Sequence, residues 1–365
     1  MPVRCWLTDT PTASKVETLE ARHFKELGAK RVRITYGPYT IPSSEDAETH
    51  GMATNRELDA LMPCRECFIT GLVPDLRFVE GNTTVTANAN KKMWLHHIGL
   101  MNLNRTDAAC PVFPERMGVN GNERSTFDYT NKGTRKAGYY LRQTDQIFIS
   151  IDAMNMAPTP RPIVLTIEWE YIPGLPPAFD VVFPIWLDVR GNCLNESSGA
   201  KDTDLVFTGR SETGWTSPHT GEVILMVPHI HDGNTNQTVF LDGKAVCETI
   251  PKYGETAEFV SHNEAGSGHG HDHGADEHTY HVSSITQCSN ALKVVPGSNF
   301  KLESTYDMKK HTPMKEHNGE LEPTMAIAFL HLARPQAEAI EAIKAMKGGD
   351  LEAWREQLRR LRTDE

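Results

Sequence analysis

Two histidines two residues apart interrupt an apolar run, Val223-Ile-Leu-Met-Val-Pro-His-Ile-His-Asp-Gly233. Side chains on a strand alternate faces, so His229 and His231 point the same way. Two imidazoles on one face can hold one metal ion; the competing account is two unrelated polar residues. A second pair, His96-His97, lies in Lys91-Lys-Met-Trp-Leu-His-His-Ile-Gly-Leu-Met101. Neighbours on a regular strand face opposite ways, so both can reach one ion only where the strand ends or bulges. Gly99, close by, suits such an irregularity. His262, His269, His271, His273, His278 and His281 fall in a glycine-rich, hydrophilic stretch. It reads as a flexible loop that recruits copper or zinc loosely, or as a solvated linker, and no catalytic ligand is assigned there. Met308, Met314 and Met325 follow the His-x-His motif. Thioether mixed with imidazole favours copper over zinc or calcium, although most methionines fill cores.

The elements that must carry these residues read as strands. Short β-branched or aromatic runs, split by Gly, Pro, Asn and Asp, recur at Lys30–Tyr36, Leu76–Val79, Thr83–Ala87, Met93–Leu95, Gln146–Ile151 and Ile163–Tyr171. A second series runs Asp180–Phe183, Glu222–Val227, Thr238–Leu241, Asn299–Tyr306 and Met325–Leu332. This pattern predicts an all-β chain of sandwich or barrel type. Pro173-Gly-Leu-Pro-Pro-Ala178 breaks strands and marks a domain boundary. The expected organisation is a segment 1–54 with a short amphipathic helix over 14–27 ended by Gly28, then β-domains over 55–175 and 176–334. A helical tail over 335–365 follows, with helices over Gln336–Lys347 and Asp350–Arg362 broken at Gly348-Gly349.

The chain of 365 residues has a formal net charge of −11 and no long basic run, which argues against nucleic-acid binding. No stretch approaches the roughly 20 apolar residues of a transmembrane helix. The cysteines are Cys5, Cys64, Cys67, Cys110, Cys193, Cys247 and Cys288. The last six would suit three disulfides. Cys64-Arg-Glu-Cys67 could instead be half of a zinc knuckle, but no second Cys-x-x-Cys completes one. Asn82, Asn104, Asn195 and Asn236 head Asn-x-Ser/Thr sequons. Cysteines and sequons lean toward a secreted protein. The start, Met1-Pro-Val-Arg-Cys-Trp-Leu, has no apolar leader; the expectation is that this start is truncated or misassigned.

The order Cys-x-x-Cys, His-His, Pro-rich link, His-x-His, then a Met opening a strand resembles the copper type II, ascorbate-dependent monooxygenases. Those are the group of peptidylglycine α-hydroxylating monooxygenase and dopamine β-monooxygenase. The chain looks closer still to the stress-up-regulated Nod19-like proteins. The text that carries this is Pro63-Cys-Arg-Glu-Cys-Phe-Ile-Thr-Gly-Leu-Val-Pro-Asp75, Trp94-Leu-His-His-Ile98 and Pro228-His-Ile-His-Asp-Gly233. The resemblance covers roughly residues 55–335 and implies two tandem jelly-roll β-sandwich domains with a short helical tail. It implies an oxygen-activating copper on His229, His231 and Met325, and an electron-storing copper on His96, His97 and a distant histidine. The strand expected to supply that histidine reads Ile149-Ser-Ile-Asp-Ala-Met-Asn155, leaving Asp152 or Met154 as its stand-in. The residues that hold a peptide carboxylate in the amidating enzyme correspond to Val227, Ile327 and Phe329, none of which can pair a charge.

These readings point to a protein with one or two coppers. As an enzyme it would hydroxylate a C–H bond of a small molecule or peptide, using oxygen and ascorbate or another reductant. The alternative is a secreted, non-enzymatic copper-binding or buffering protein. A third account is a β-sandwich interaction module with structural histidines.

Overall fold

In the computed structural model, residues 15–80, 83–191, 206–262, 278–313 and 322–346 are described. The chain is predominantly β, and among the described residues its one α-helix is Gln336–Ala345. An eleven-stranded sheet runs in the order Lys15–Leu19, Lys30–Ile41, Arg161–Pro173, Cys67–Glu80, Ala137–Leu141, Asp180–Asp188, Ala326–Arg334, Gly221–Ile230 and Leu292–Val294. Thr83–Thr86 and Phe127–Asp128 also pair with Cys67–Glu80. A four-stranded sheet holds Met52–Glu57, Ile147–Asn155, Met93–Thr106 and Pro114–Asn120. A five-stranded sheet holds Val206–Arg210, Trp215–Thr216, Asn299–Asp307, Asn234–Leu241 and Lys244–Thr249.

Two apolar cores follow from this arrangement. The first joins Ile34, Leu165 and Trp169 of the large sheet to Leu95, Ile98 and Ile151 of the four-stranded sheet. The second joins Phe183, Ile185 and Leu330 to Val239, Phe300 and Leu302 of the five-stranded sheet. The middle strands of the large sheet serve both cores. On Ala326–Arg334, Ile327 and Phe329 enter the first core while Ala326, Ala328 and Leu330 enter the second. Burial on both faces explains why these strands read as unbroken apolar runs instead of alternating ones.

The strand expectations at both ends of the chain change. Lys15–Leu19 is a strand and not part of a helix, pairing antiparallel with Lys30–Ile41 in the register Val16↔Ile34. Only a 3-10 turn, Lys25–Leu27, remains of the expected helix, closed by Gly28 at φ 75°. Pairing with a neighbouring strand, reinforced by the Arg33–Glu17 ion pair, overrides a weak local helical preference. From Lys15 onward the supposed N-terminal segment is therefore part of the first core, to which it gives Ile34 and Tyr36. The Pro173–Ala178 link does join two strands, but the large sheet continues across it. Ala137–Leu141 pairs with Cys67–Glu80 on one side and Asp180–Asp188 on the other. Gln336–Ala345 docks on the second core through Ala339, Ile340 and Ile343; Asp350–Arg362 lies outside the described residues.

Cys64 and Cys67 pair with each other, which removes the zinc-knuckle reading. Cys247 pairs with Cys288, and Cys110 is also disulfide-bonded. Cys5 and Cys193 lie outside the described residues. Among those residues, no helix is long and apolar enough to cross a membrane.

Candidate metal centre

The His-x-His motif ends the strand Gly221–Ile230, whose faces belong to different cores. Val227 joins the first core, while Met226 and Ile230 join the second. By alternation His229 and His231 share the face of Val227 and so look toward the strands of the first core. Both are buried, at 1% and 8% exposure.

The His-His pair meets them from the other side because its strand bulges. Asp152 pairs with His97, but the next residue, Ala153, pairs with Leu95, so His96 is an extra residue in the ladder. Leu95 and Ile98 both enter the first core although an odd number of positions separates them. The adjacent imidazoles are thereby left together on the opposite side, ring centroids 4.0 Å apart. An inserted residue is what lets neighbours share a face.

The two pairs converge on one place. Ring centroids are 5.0 Å apart for His97–His231, 5.1 Å for His97–His229, 5.2 Å for His96–His231 and 5.6 Å for His229–His231. His96, His97 and His231 each offer a nitrogen within 4.8 Å of the others. Sequence reasoning put the pairs in two separate domain sites; the shared wall between the cores makes them one cluster.

A third element, the turn after strand Pro114–Asn120, was missed. Arg124 N–H donates to the Gly121 carbonyl at 3.1 Å. Asn120 clamps the turn by exchanging hydrogen bonds with the backbone of Ser125, each at 2.6 Å. The turn delivers Glu123, whose carboxylate accepts from His229 Nδ1 at 2.9 Å. Gly121 permits the approach: a Cβ there would lie 2.7 Å from His229 Cε1, 2.9 Å from Glu123 Oε2 and 3.1 Å from the His96 carbonyl oxygen. The Asn120-Gly121 dipeptide at the end of the strand was the available signal.

The second nitrogens decide what the rings can do. His231 Nδ1 donates to the Pro323 carbonyl at 2.8 Å. With Nδ1–H of His229 and His231 committed, Nε2 of each carries a lone pair. His97 Nε2 faces His231 Nε2 at 2.9 Å, and His229 Nε2 is buried with no hydrogen-bond partner among the described residues. Burial pushes the His231 pKa down to about 4, with His96 and His229 adding to the fall and Glu322 opposing it. Burial, then the other imidazoles, holds His97 well below its ordinary value. Buried imidazoles whose Nδ1 is tied to a carboxylate or a carbonyl, as in His229 and His231, are donors that suit copper. Glu322 contacts His96 Nε2 and lies 3.6 Å from His231 Nδ1. Burial alone would raise its pKa, but His231 and His96 outweigh that and hold it near about 2.

Other expected residues fall around this cluster. Met325 lies where the ladder continues opposite His231, whose N–H donates to the Met325 carbonyl at 3.2 Å, and its side chain joins the first core. Asp152 Oδ2 is 3.7 Å from His97 Nδ1, beside the ring; Met154 pairs opposite Trp94. Val227, Ile327 and Phe329 are wholly buried core residues. Met308 is buried in the second core. Met314, His269, His271 and His273 lie outside the described residues. His281, by contrast, is buried: its Nδ1 bonds Asp232 and its Nε2 bonds Ser261, both at 2.8 Å. Its ring meets Trp94 edge-on at 4.3 Å, bracing one wall of a small cavity beside the histidines.

Comparison with known proteins bears on this donor set. A family model described as stress up-regulated Nod 19 matches residues 191–333. The probable copper-dependent oxygenase M1 of Phoma sp. is 31% identical over 308 residues, spanning 84% of this chain and 73% of that protein. The chain belongs to the same family. A further member, the probable copper-dependent oxygenase clz3 of Cochliobolus lunatus, is 31% identical over 254 residues, spanning 69% of this chain and 76% of its own. Among solved structures, peptide N-glycanase F of Flavobacterium meningosepticum aligns with 83% of this chain and 96% of that one. Its TM-score is 0.40 at 9% identity, too distant to carry an argument.

Proposed function

We propose that this protein is a copper-dependent oxidoreductase whose centre is built jointly by His96, His97, His229 and His231. The observation that carries this reading is that His96, His97 and His231, drawn from both pairs, offer nitrogens within 4.8 Å of one another, with the His229 ring 5.1 Å from His97, in a chain related to probable copper-dependent oxygenases. Copper bound there would supply one-electron chemistry toward oxygen, with electrons from ascorbate or another external donor. The chain's own part is to orient and to exclude water. Glu123 and the Pro323 carbonyl fix the His229 and His231 rings through Nδ1. Glu322, held as a carboxylate, is placed to take up or release a proton at His96 Nε2. Trp94, Ile230 and Val282 give the small adjoining cavity an apolar wall that limits water beside the histidines. Met325 is the remaining candidate ligand, its carbonyl accepting from the His231 N–H. The two-core arrangement supports tandem β-sandwiches as the scaffold. The disulfides support an oxidising, secretory setting, where such bonds persist.

Glu322 also favours the second reading, copper storage without turnover. Were its carboxylate to bind alongside four imidazoles, the centre would be closed to oxygen. Copper titration with ascorbate-driven oxygen consumption separates the two. A joint centre predicts that His97→Ala and His229→Ala each remove all tightly bound copper. Two independent sites predict that each variant keeps part of it. Tight copper without oxygen uptake across a substrate panel leaves storage, and no tight copper sinks both readings.

A further inference from the structure

Outside the four-histidine cluster, Asp232, His281 and Ser261 form a hydrogen-bonded row. His281 Nδ1 meets Asp232 Oδ2 and His281 Nε2 meets Ser261 Oγ, both at 2.8 Å. Asp232 is pinned by its other oxygen, Oδ1, which accepts from the Val282 N–H at 3.0 Å. The backbone of His281 is fixed on both sides. Its N–H donates to the Phe259 carbonyl and its carbonyl accepts from the Gly254 N–H, each at 3.0 Å. Trp94 meets the ring edge-on. Ser261 pairs with Thr279 between the strands Val260–His262 and His278–Tyr280, which makes it the diagonal neighbour of His281 on one face. Burial is graded along the row: Asp232 and His281 are 3% and 1% exposed, whereas Ser261 is half-buried.

The direction of these bonds follows from the donors. A carboxylate only accepts, so in the neutral ring Nδ1 carries the hydrogen and Nε2 the lone pair. The Ser261 hydroxyl then donates to Nε2, the polarity that activates a serine as a nucleophile. A carboxylate on the far nitrogen fixes that tautomer and stabilises the imidazolium formed when the proton moves.

We infer that Ser261 and His281 are catalytic residues of a second, copper-independent site, with Asp232 positioning the ring, and that this site transfers acyl groups from short, uncharged esters. Ser261 Oγ bonds the ester carbonyl carbon as its proton passes to His281 Nε2. The bond from that carbon to the alcohol oxygen then breaks, and the alcohol leaves with the proton from Nε2. Water attacks the acyl-serine in the same way, releasing the acid and restoring the Ser261 hydroxyl. Each strand of the pair has three residues, too few to wall a groove for a long acyl chain. The Asp232 carboxylate behind the ring disfavours an anionic substrate.

The test is covalent capture by an alkyl fluorophosphonate, in which an Oγ–P bond replaces P–F and fluoride leaves. The full chain is treated with and without copper, and the adduct is located by peptide mass spectrometry. The expected result is an adduct on Ser261, formed at the same rate in both states, and a burst of p-nitrophenol from p-nitrophenyl acetate. Ser261→Ala should abolish both at an unchanged melting temperature. His281→Gln should slow capture about 100-fold or more. Asp232→Asn, which keeps the side-chain shape, should slow it about tenfold or more. That loss should fall on the maximal rate and not on the half-saturating probe concentration. Absence of an adduct on Ser261 in the parent chain overturns the inference, whatever the variants do. Capture that survives both His281→Gln and Asp232→Asn, or that needs copper, overturns it as well.

Discussion

At His229 the two ring nitrogens have separate tasks. Nδ1 is fixed by Glu123, and Nε2 is buried without a hydrogen-bond partner among the described residues. Replacing Glu123 with Gln keeps the shape but removes the charged partner that orients the ring. Copper affinity should fall roughly 10–100-fold, read by competition with a calibrated chelator. Gly121→Ala tests the same contact sterically, since its Cβ would meet ring, carboxylate and backbone at once; the expected loss is at least as large. His331 provides a contrast away from the cluster. It is wholly buried among Phe127, Tyr129 and Phe329, its Nε2 has no partner among the described residues, and burial lowers its pKa to about 3. A lowered imidazole pKa stabilises the fold above the unfolded value near 6.5 and is lost as pH falls below it. From pH 7.5 to 4.5 this single group should remove roughly 2–3 kcal/mol. Urea unfolding of His331→Phe should show a correspondingly flatter pH dependence. The sequence revealed His229 and His231 as a same-face pair by period alone. Glu123, Gly121 and His331 were not legible, because their roles come from contacts with residues distant in the chain.

Element-level reading succeeded where a strand's pattern is local and failed where pairing decides. Each strand expected between Lys30 and Leu332 is present, because β-branched runs between turn residues leave little alternative. Lys15–Leu19 went astray because its strand character comes from the partner Lys30–Ile41. The bulge at His96 shows the same limit. Its necessity could be stated from the adjacent histidines, but its occurrence depends on Ile147–Asn155 holding register on both sides. Deleting His96 should restore regular alternation, with Leu95 and Ile98 two apart on the core face and His97 still opposite them. The deletion variant should therefore melt close to the parent, and it and His96→Ala should both lose copper affinity. The Cys247–Cys288 bond acts at this scale too. It ties strand Lys244–Thr249 to Cys288, which bridges to Met226 on the His-x-His strand. Its sequence separation is 41; for a loop of that size the chain-entropy account gives about 4 kcal/mol. The Cys247→Ser, Cys288→Ser double variant should lose stability of that order in urea unfolding.

Across the whole molecule, the question is whether copper reports on one folding unit or two. Sequence reasoning divided the chain at Pro173–Ala178 and gave each half its own site, a division suggested by the two series of strands. The large sheet crosses that boundary, and Val182 and Trp186, beyond it, are members of the first core. His96 and His97 come from a strand of the four-stranded sheet, His229 and His231 from the large sheet's far side. A metal held by both pairs adds a further connection between the cores. Ligand bound only by the native state stabilises it by about 2.7 kcal/mol at one hundred times Kd, which for a chain of 365 residues corresponds to roughly 3–4 °C. If the centre is joint, that gain belongs to both cores. Hydrogen exchange in Ile163–Tyr171, in the first core, and in Phe300–Leu302, in the second, should slow together on copper addition. His97→Ala and His229→Ala should each abolish the slowing in both segments. Protection confined to one segment would mean that copper stabilises one core alone and that the four histidines do not act as one centre.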